Sequence, residues 1–297
     1  MLLPCVKVKK DVAQTEILRL KREGKIYPGY RIRKEGDFVL IPVNESMETA
    51  EFEKRKNESM KHVGSFDRVS DFFVIRERTG WESILSEIVK KQKPRAVFLD
   101  FGVQGRLRIR SLKLVYGSGP PAGIHRENGF RYYVDLNKVY FSPRLANLRK
   151  IIVDRIASSS ENSLVIDMYA GVGPISIPLS RIGIKVVAID INPDAVALLH
   201  KNARMNYANL NVILADSTSL VECFARAKHI IMNNPTQPLE LTAGILKKFE
   251  KGTVVHMTTI EGSEEPLNLN GWQTLERVVV HGYSPSASLM YYLISKG

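Results

Sequence analysis

The sequence predicts an α/β protein. Its C-terminal half should fold as a mainly parallel sheet alternating with helices, preceded by two small α/β domains. Three observations predict this. Residues 163–192, SLVIDMYAGVGPISIPLSRIGIKVVAIDIN, read as strand, glycine turn, helix, strand and acidic end. Strand and helix patterns keep alternating after that stretch. Three polar residues, Asp190, Asp216 and Asn233, then fall at the carboxyl ends of successive expected strands. Open α/β sheets bind ligands at such ends.

Within 163–192, Leu164–Met168 is a short apolar run suited to a buried strand. Gly171 and Gly173 allow a tight turn and a close approach of backbone to ligand. Pro174 suits the first turn of a helix through Ile175–Arg181, which Gly183 ends. Lys185–Ile189 is the next strand. Asp190 follows the turn by roughly 20 residues, where βαβ units hold ribose hydroxyls. The run A-G-V-G-P lacks the third glycine of the dinucleotide signature, because Ser176 stands there.

The 297 residues carry a net charge of +12. Their length allows two or three domains. The excess of cations favours a polyanionic partner through phosphate neutralisation. Cys5 and Cys223 form no metal or disulfide pattern, which fits a reducing cytoplasm. The start MLLPCVKVKK has no apolar segment of signal-peptide or membrane-span length.

In chain order, residues 3–43 read as a small module. Cys5–Lys9 is a strand and Asp11 caps a helix over Val12–Glu23 with Ile17, Leu18 and Leu20 inward. Arg31–Lys34 and Phe38–Val43 form a hairpin. Ten cations, from Lys7 to Lys34, sit in this module and favour a nucleic-acid contact; Tyr27 and Tyr30 either stack on a base or pack on the helix. Residues 45–62 are polar with mixed charge and read as a linker. Phe72–Arg76, Trp81–Lys91 and Ala96–Phe101 then read as strand, helix and strand. Gly105–Leu114 (GRLRIRSLKL) alternates basic with apolar residues. As a strand it would present Arg106, Arg108 and Arg110 on one face, either as an exposed edge or as a phosphate track.

Tyr116–Ala122 is expected as a loop, His125–Gly129 as a turn and Phe130–Leu136 as a strand. Tyr140–Arg144 (YFSPR) opens a helix reaching Ile156, with Ser142 as cap and Pro143 in its first turn. A short link, 158–162, leads to the 163–192 unit. Helices over Pro193–Asn206 and Thr236–Phe249 alternate with strands Asn211–Ala215, Lys228–Met232 and Gly252–Thr259. Gln273–Tyr283 and Leu289–Ile294 close the sheet as an antiparallel pair. The six histidines show no ligand spacing, so no metal site is expected.

The blocks IHRENGFRYYVDLNKVYFSPRL, DMYAGVGPISIP, AIDINPDAV and IIMNNPT occur in that order. The glycine turn and following acid resemble motifs I and II of class I S-adenosylmethionine methyltransferases, and nothing resembles a hydride-transfer site. Together the blocks resemble the archaeal and eukaryotic-type tRNA (guanine-37-N1)-methyltransferases and their wyosine-pathway methyltransferase paralogues. The resemblance covers most of the chain and is most specific over 124–260. The opening P-C-V-K-V-K-K matches that family's small N-terminal domain.

The resemblance implies a Rossmann-like class I methyltransferase domain at 158–297. Before it would lie a basic tRNA-binding domain with linker at 1–62 and a middle RNA-binding domain with connecting helix at 63–157. It implies S-adenosylmethionine as cofactor and tRNA as partner, gripped at its outer corner and anticodon stem-loop. No membrane, a cytoplasmic location and a monomer are expected. Asp190 would bind the ribose and Asp216 the adenine amino group. Asp167, Tyr169, Gly171, Gly173, Ile191 and Ser217 would line the cofactor, with Tyr140, Phe141 and Arg144 near its methionine end. Asn233 would both line the cofactor and hold the target base, and Pro235 would flank that base. Arg108 or Arg110 would neutralise charge that builds on the guanine.

One position departs from the family. A glutamate, the expected general base, usually follows F-S-P-R-L three residues on; here Leu148 occupies that place. Guanine N1 is protonated at neutral pH, so its methylation needs a base. Either another group serves, with Glu127 of HRENG the best candidate, or the reaction differs. C7 methylation of 4-demethylwyosine and a tRNA-binding paralogue without catalysis are the alternatives to guanine N1 methylation.

Overall fold

The structure, a computed structural model, describes residues 2–27, 30, 32–45, 48–52, 66–159, 163–262, 270–284 and 287–297. Most of the expected linker at 45–62, Arg31, and residues 160–162, 263–269 and 285–286 lie outside the described residues. So do the side chains of Leu18, Lys21 and Arg22. The chain forms two compact units, Met1–Val63 and Gly64–Gly297.

In the first unit, β1 (Leu2–Lys9) leads directly into α1 (Lys10–Arg22). The strands β2 (Arg33–Glu35), β3 (Phe38–Pro42) and β4 (Thr49–Glu51) complete an antiparallel sheet in the order β2-β3-β1-β4. Gly36, at φ 56°, makes the β2–β3 turn. Alternation along β1 and β3 feeds two small cores. Val39 and Ile41 pack with Ala13 and Leu20 of α1, while Leu40 packs with Leu3, Cys5 and Phe52. Asp11 is not the cap that the sequence suggests: α1 begins one residue earlier, and the Asp11 carboxylate accepts from the Val12 N–H inside the first turn.

The second unit opens with a four-stranded sheet, β5 (Phe66–Val69), β6 (Phe72–Arg76), β7 (Ala96–Gln104) and β8 (Ile109–Gly117). Helix α2 (Trp81–Gln92) carries the crossover that makes β6 and β7 parallel. The expected strand over Gly105–Leu114 is corrected here. Gly105 and Arg108 adopt φ of 64° and 55°, so residues 105–108 turn the chain, and β8 starts only at Ile109. Arg106 and Arg108 therefore sit on a turn, with only Arg110 in a strand, and no three-arginine face forms. The loop expected at Tyr116–Ala122 shrinks to 118–121. His125–Glu127, expected in a turn, belong to β9 (Ala122–Glu127), and the turn to β10 (Phe130–Asp135) is made by Asn128 and Gly129.

After β10 comes a short 3-10 helix at Pro143–Leu145, then α3 (Ala146–Ser159). Ser142 precedes the 3-10 helix without a side-chain capping bond. The large sheet contains β11 (Leu164–Asp167), β12 (Lys185–Asp190), β13 (Asn211–Leu214), β14 (His229–Met232), β15 (Val254–Gly262), β16 (Trp272–Ser284) and β17 (Ala287–Lys296). Its order is β13-β12-β11-β14-β15-β17-β16. The first five in that order are parallel; β17 runs antiparallel to both of its neighbours. Helices α4 (Ser176–Arg181), α5 (Pro193–Met205) and α6 (Leu239–Leu246) provide crossovers. Helix α6 is shorter at both ends than the expected Thr236–Phe249. β11 and β12 are nearly continuous apolar runs, as strands buried on both faces require.

The β9–β10 hairpin is fastened to this sheet's helical layer by two asparagines of the α5 C-terminal region. Asn202 accepts from the Tyr133 N–H at 2.7 Å and donates to the Tyr133 carbonyl at 3.2 Å. Asn206 repeats the pattern on Arg131, at 3.0 and 2.6 Å. Carboxamides offer one donor and one acceptor in the arrangement of a neighbouring strand, so they satisfy the open edge of β10. This sets the approach to Tyr140 beside the sheet's carboxyl ends.

Candidate active site

Two adjoining cavities, of about 430 and about 370 Å³, open at the carboxyl ends of β11, β12 and β14. The turn after β11 shapes them. Gly171 has φ 55°, and its N–H donates to the Asp190 carboxylate at 2.7 Å. Gly173 has φ 90°; a Cβ there would lie 2.2 Å from Leu199 Cδ1, so the second glycine is required by packing of the turn on α5. Asp190 also accepts from the Asn192 N–H at 2.9 Å, and Asn192 caps α5 through the Asp194 N–H at 3.0 Å. Burial raises the Asp190 pKa, opposed by these backbone donors.

The first cavity gathers Tyr140, Tyr169, Gly171, Asp190, Ile191, Asp216, Ser217, Asn233 and Arg108 of the expected residues. Asp216 follows β13 and accepts from the Thr218 N–H at 3.0 Å and its hydroxyl at 2.7 Å. The Thr218 hydrogen bonds and the Arg106 guanidinium hold the Asp216 carboxyl below the usual range. Arg106 was expected on a strand face; from the β7–β8 turn it reaches Asp216 instead. The Tyr169 hydroxyl donates to Gln237, and burial raises its pKa. Two carboxylates, each at a strand end, line this one cavity and offer hydrogen-bond acceptors.

The second cavity shares Arg108, Tyr140, Tyr169, Gly171 and Asn233, and adds Phe141, Arg144, Pro235 and Arg110. Arg108 lies over the Tyr140 ring, 4.4 Å from its centroid, and donates to Asn234 at 3.2 Å. Asn233 accepts from the Thr258 hydroxyl at 3.2 Å, which leaves its amide N–H groups for a ligand. Arg110 is nearly buried. It donates to Asp100 at 2.7 Å, to Asp67 at 3.0 Å and to the Phe141 carbonyl at 3.2 Å. Asp67 also accepts from Arg144 Nε at 2.6 Å. Asp67, Asp100, Asn234 and Gln237 were not singled out by sequence reading. Asp67 meets Arg110 from 43 residues away and Arg144 from 77, and Arg106 meets Asp216 from 110, so no local pattern announces these pairs.

Three expectations change. Asp167 is buried behind the glycine turn and lines neither cavity; Ser176 donates to it at 2.6 Å, and burial raises its pKa to about 7. Gly173 likewise faces α5 and not the cavities. Glu127 is not a free base. It lies in β9, buried, and takes two hydrogen bonds from Arg149, one of them at 2.7 Å from Nε. Hydrogen bonds from His125 and Arg149 lower its pKa against the effect of burial, and it lines neither cavity. Its role is to neutralise a buried arginine beside the F-S-P-R segment. Leu148 is 1% exposed and packs with Ile152 and Ile156, so no base stands at that place.

Comparison with known proteins agrees with this geometry. The sequence model of the TRM5/TYW2 methyltransferase domain matches residues 123–280, and that of the tRNA methyltransferase 5 N-terminal domain matches residues 5–51. The chain belongs to the TRM5/TYW2 methyltransferase family. It is 34% identical to tRNA (guanine(37)-N(1))-methyltransferase Trm5b of Pyrococcus abyssi, over 91% of this chain and 88% of that protein. It is 32% identical to the tRNA (guanine(37)-N(1))/4-demethylwyosine(37)-methyltransferase Taw22 of Nanoarchaeum equitans, over 46% of each. The complex structure of aTrm5 and tRNALeu matches with a TM-score of 0.65 and 26% identity, covering 99% of this chain and 100% of that one. Methanocaldococcus jannaschii Trm5 in complex with adenosine matches with a TM-score of 0.65 and 27% identity, covering 100% and 99%. The C-terminal sheet is thus the Rossmann-like class I methyltransferase fold. Among the described residues, no helix is long and apolar enough to cross a membrane.

Proposed function

We propose that this chain transfers the methyl group of S-adenosylmethionine to the purine at position 37 of tRNA, at guanine N1. The observation that carries the reading is the pair of joined cavities, one edged by Asp190 and Asp216, the other by Asn233, Pro235 and Arg110. In the first, Asp190 accepts from the ribose hydroxyls, Asp216 accepts from the adenine amine, and Tyr169, Gly171, Ile191 and Ser217 enclose the nucleoside. Tyr140, Phe141 and Arg144 lie towards the methionine end. In the second, Asn233 donates to the target base, Pro235 flanks it, and Arg108 and Arg110 offset charge that develops on the ring.

The transfer is a direct displacement. The methyl carbon leaves sulfur as the ring nitrogen bonds to it, and the chain's part is to align the two and remove the N1 proton. The N-terminal module grips the tRNA, the middle domain at 63–157 holds the anticodon stem-loop, and the protein works in the cytoplasm as a monomer. The +12 net charge supports the polyanionic partner. A second reading, C7 methylation of 4-demethylwyosine, is favoured by one observation: Leu148 leaves the position three residues after F-S-P-R-L without an acid.

The test is nucleoside analysis after incubation with labelled S-adenosylmethionine. A guanosine-37 tRNA should yield labelled N1-methylguanosine. Label only on tRNA carrying 4-demethylwyosine would replace the first reading by the second, and label on neither would refute both.

A further inference from the structure

Guanine N1 methylation must place one proton somewhere, and neither Leu148 nor Glu127 can take it. We infer that Asp100, held in the second cavity by Arg110, is the proton acceptor. The inference rests on the reading of guanine N1 as acceptor atom.

The groups that line the cavities narrow the choice. Four carboxylates do so, those of Asp67, Asp100, Asp190 and Asp216. Asp190 and Asp216 edge only the first cavity and are occupied by Gly171, Asn192, Thr218 and Arg106. Asp67 is 6% exposed at its side chain and spends one oxygen on each of two guanidiniums, Arg144 and Arg110. Asp100 is the more open of the remaining pair, at 13%, and only one guanidinium touches it. Its other oxygen accepts from the Gly102 N–H at 2.9 Å. Each carboxylate oxygen has a second acceptor position, so Asp100 keeps capacity for a substrate N–H.

The backbone also aims it. Pairing of β7 with β8 is irregular between Asp100 and Val103, and Gly102 takes φ 104°. A bulge of this kind re-aims a side chain at a sheet edge. Gly102 and Val103 then line the same cavity as Asp100, Asn233 and Pro235. The other charged or titratable groups on that cavity are Asp67 from β5, Arg76 from β6, Arg108 and Arg110 from the β8 side, and Tyr140, Arg144, Arg149 and Tyr169. None of the arginines can accept a proton.

The step balances simply. The N1–H bond breaks towards the Asp100 carboxylate, and the N1 electron pair forms the bond to the methyl carbon. The carbon–sulfur bond breaks with its pair on sulfur, leaving S-adenosylhomocysteine. Asp100 later releases the proton to water.

The experiment is single-turnover methylation of guanosine-37 tRNA by Asp100→Asn, which keeps size and an acceptor for Arg110. The rate should fall about 100-fold or more, the range expected for loss of a general base, with S-adenosylmethionine and tRNA affinities within about threefold of wild type. The wild-type rate should rise with pH along an acid limb that Asp100→Asn lacks. Asp100→Glu should recover part of the rate and the limb. If Asp100→Asn does not fold, Asp100→Glu alone decides, since a wild-type pH profile and rate in that variant would refute a role that depends on the position of the carboxylate. An Asp100→Asn rate within about threefold of wild type overturns the inference. A wild-type enzyme that leaves guanosine-37 unlabelled overturns the reading on which it rests.

Discussion

The two cavities were built by different means. The first is edged by residues at consecutive strand ends, each announced by a short local pattern. The second is closed by pairings between distant parts of the chain, with Arg110 of β8 between Asp67 of β5 and Asp100 of β7. The difference teaches that a donor-binding motif can be read locally, whereas the chemistry of the acceptor side depends on which domain is folded against it.

The largest effect should come from breaking that non-local cluster. Arg110→Met would leave the buried Asp67 and the partly exposed Asp100 without their shared cation, at a cost of about 3 kcal/mol. Urea unfolding should report the loss; a variant as stable as wild type would show that the cluster is not what joins β5, β7 and the F-S-P-R segment. Asp190→Ala should then weaken S-adenosylmethionine binding by about 2–3 kcal/mol, since it removes a charged acceptor and frees the Gly171 N–H. Calorimetry that finds unchanged affinity would put the nucleoside elsewhere.

Away from both cavities, β14, β15 and β17 bring a buried histidine pair together. His229 Nδ1 lies 3.2 Å from His256 Nε2, and His256 Nδ1 lies 2.9 Å from the Tyr291 hydroxyl. Burial pushes His229 down to about 4 and His256 down to about 3. Both are neutral when folded and take a proton more readily when unfolded. Stability should therefore be complete above the ordinary histidine range and fall as pH drops from there towards about 4, by up to about 1.4 kcal/mol per pH unit for each residue. Unfolding free energies at near-neutral and mildly acidic pH test this; equal values would contradict it. The smallest effect is expected from Arg106→Ala. Its pair with Asp216 is exposed, so stability should move by about 1 kcal/mol or less in urea unfolding.

What the sequence made legible follows the same division. Gly171, Asp190, Asp216 and Asn233 stand at strand ends, where the glycine turn and the change from apolar to polar residue mark them. The run GRLRIR misled because its alternation has the period of a strand, yet positive φ at Gly105 and Arg108 makes it a turn. Glu127 looked available because its neighbours in sequence are polar. Its partner Arg149 lies 22 residues away and buries it. His229, His256 and Tyr291 looked unrelated until β14, β15 and β17 became neighbours in the sheet.

The division between donor and acceptor sides is tested most directly by Asn233→Ala. Asn233 borders both cavities, so S-adenosylmethionine affinity, measured by calorimetry, should fall by no more than about tenfold, while the single-turnover rate on guanosine-37 tRNA at saturating cofactor should fall about 100-fold or more, as for loss of a donor that acts on the reacting group. A loss of cofactor affinity as large as the loss of rate would contradict the account.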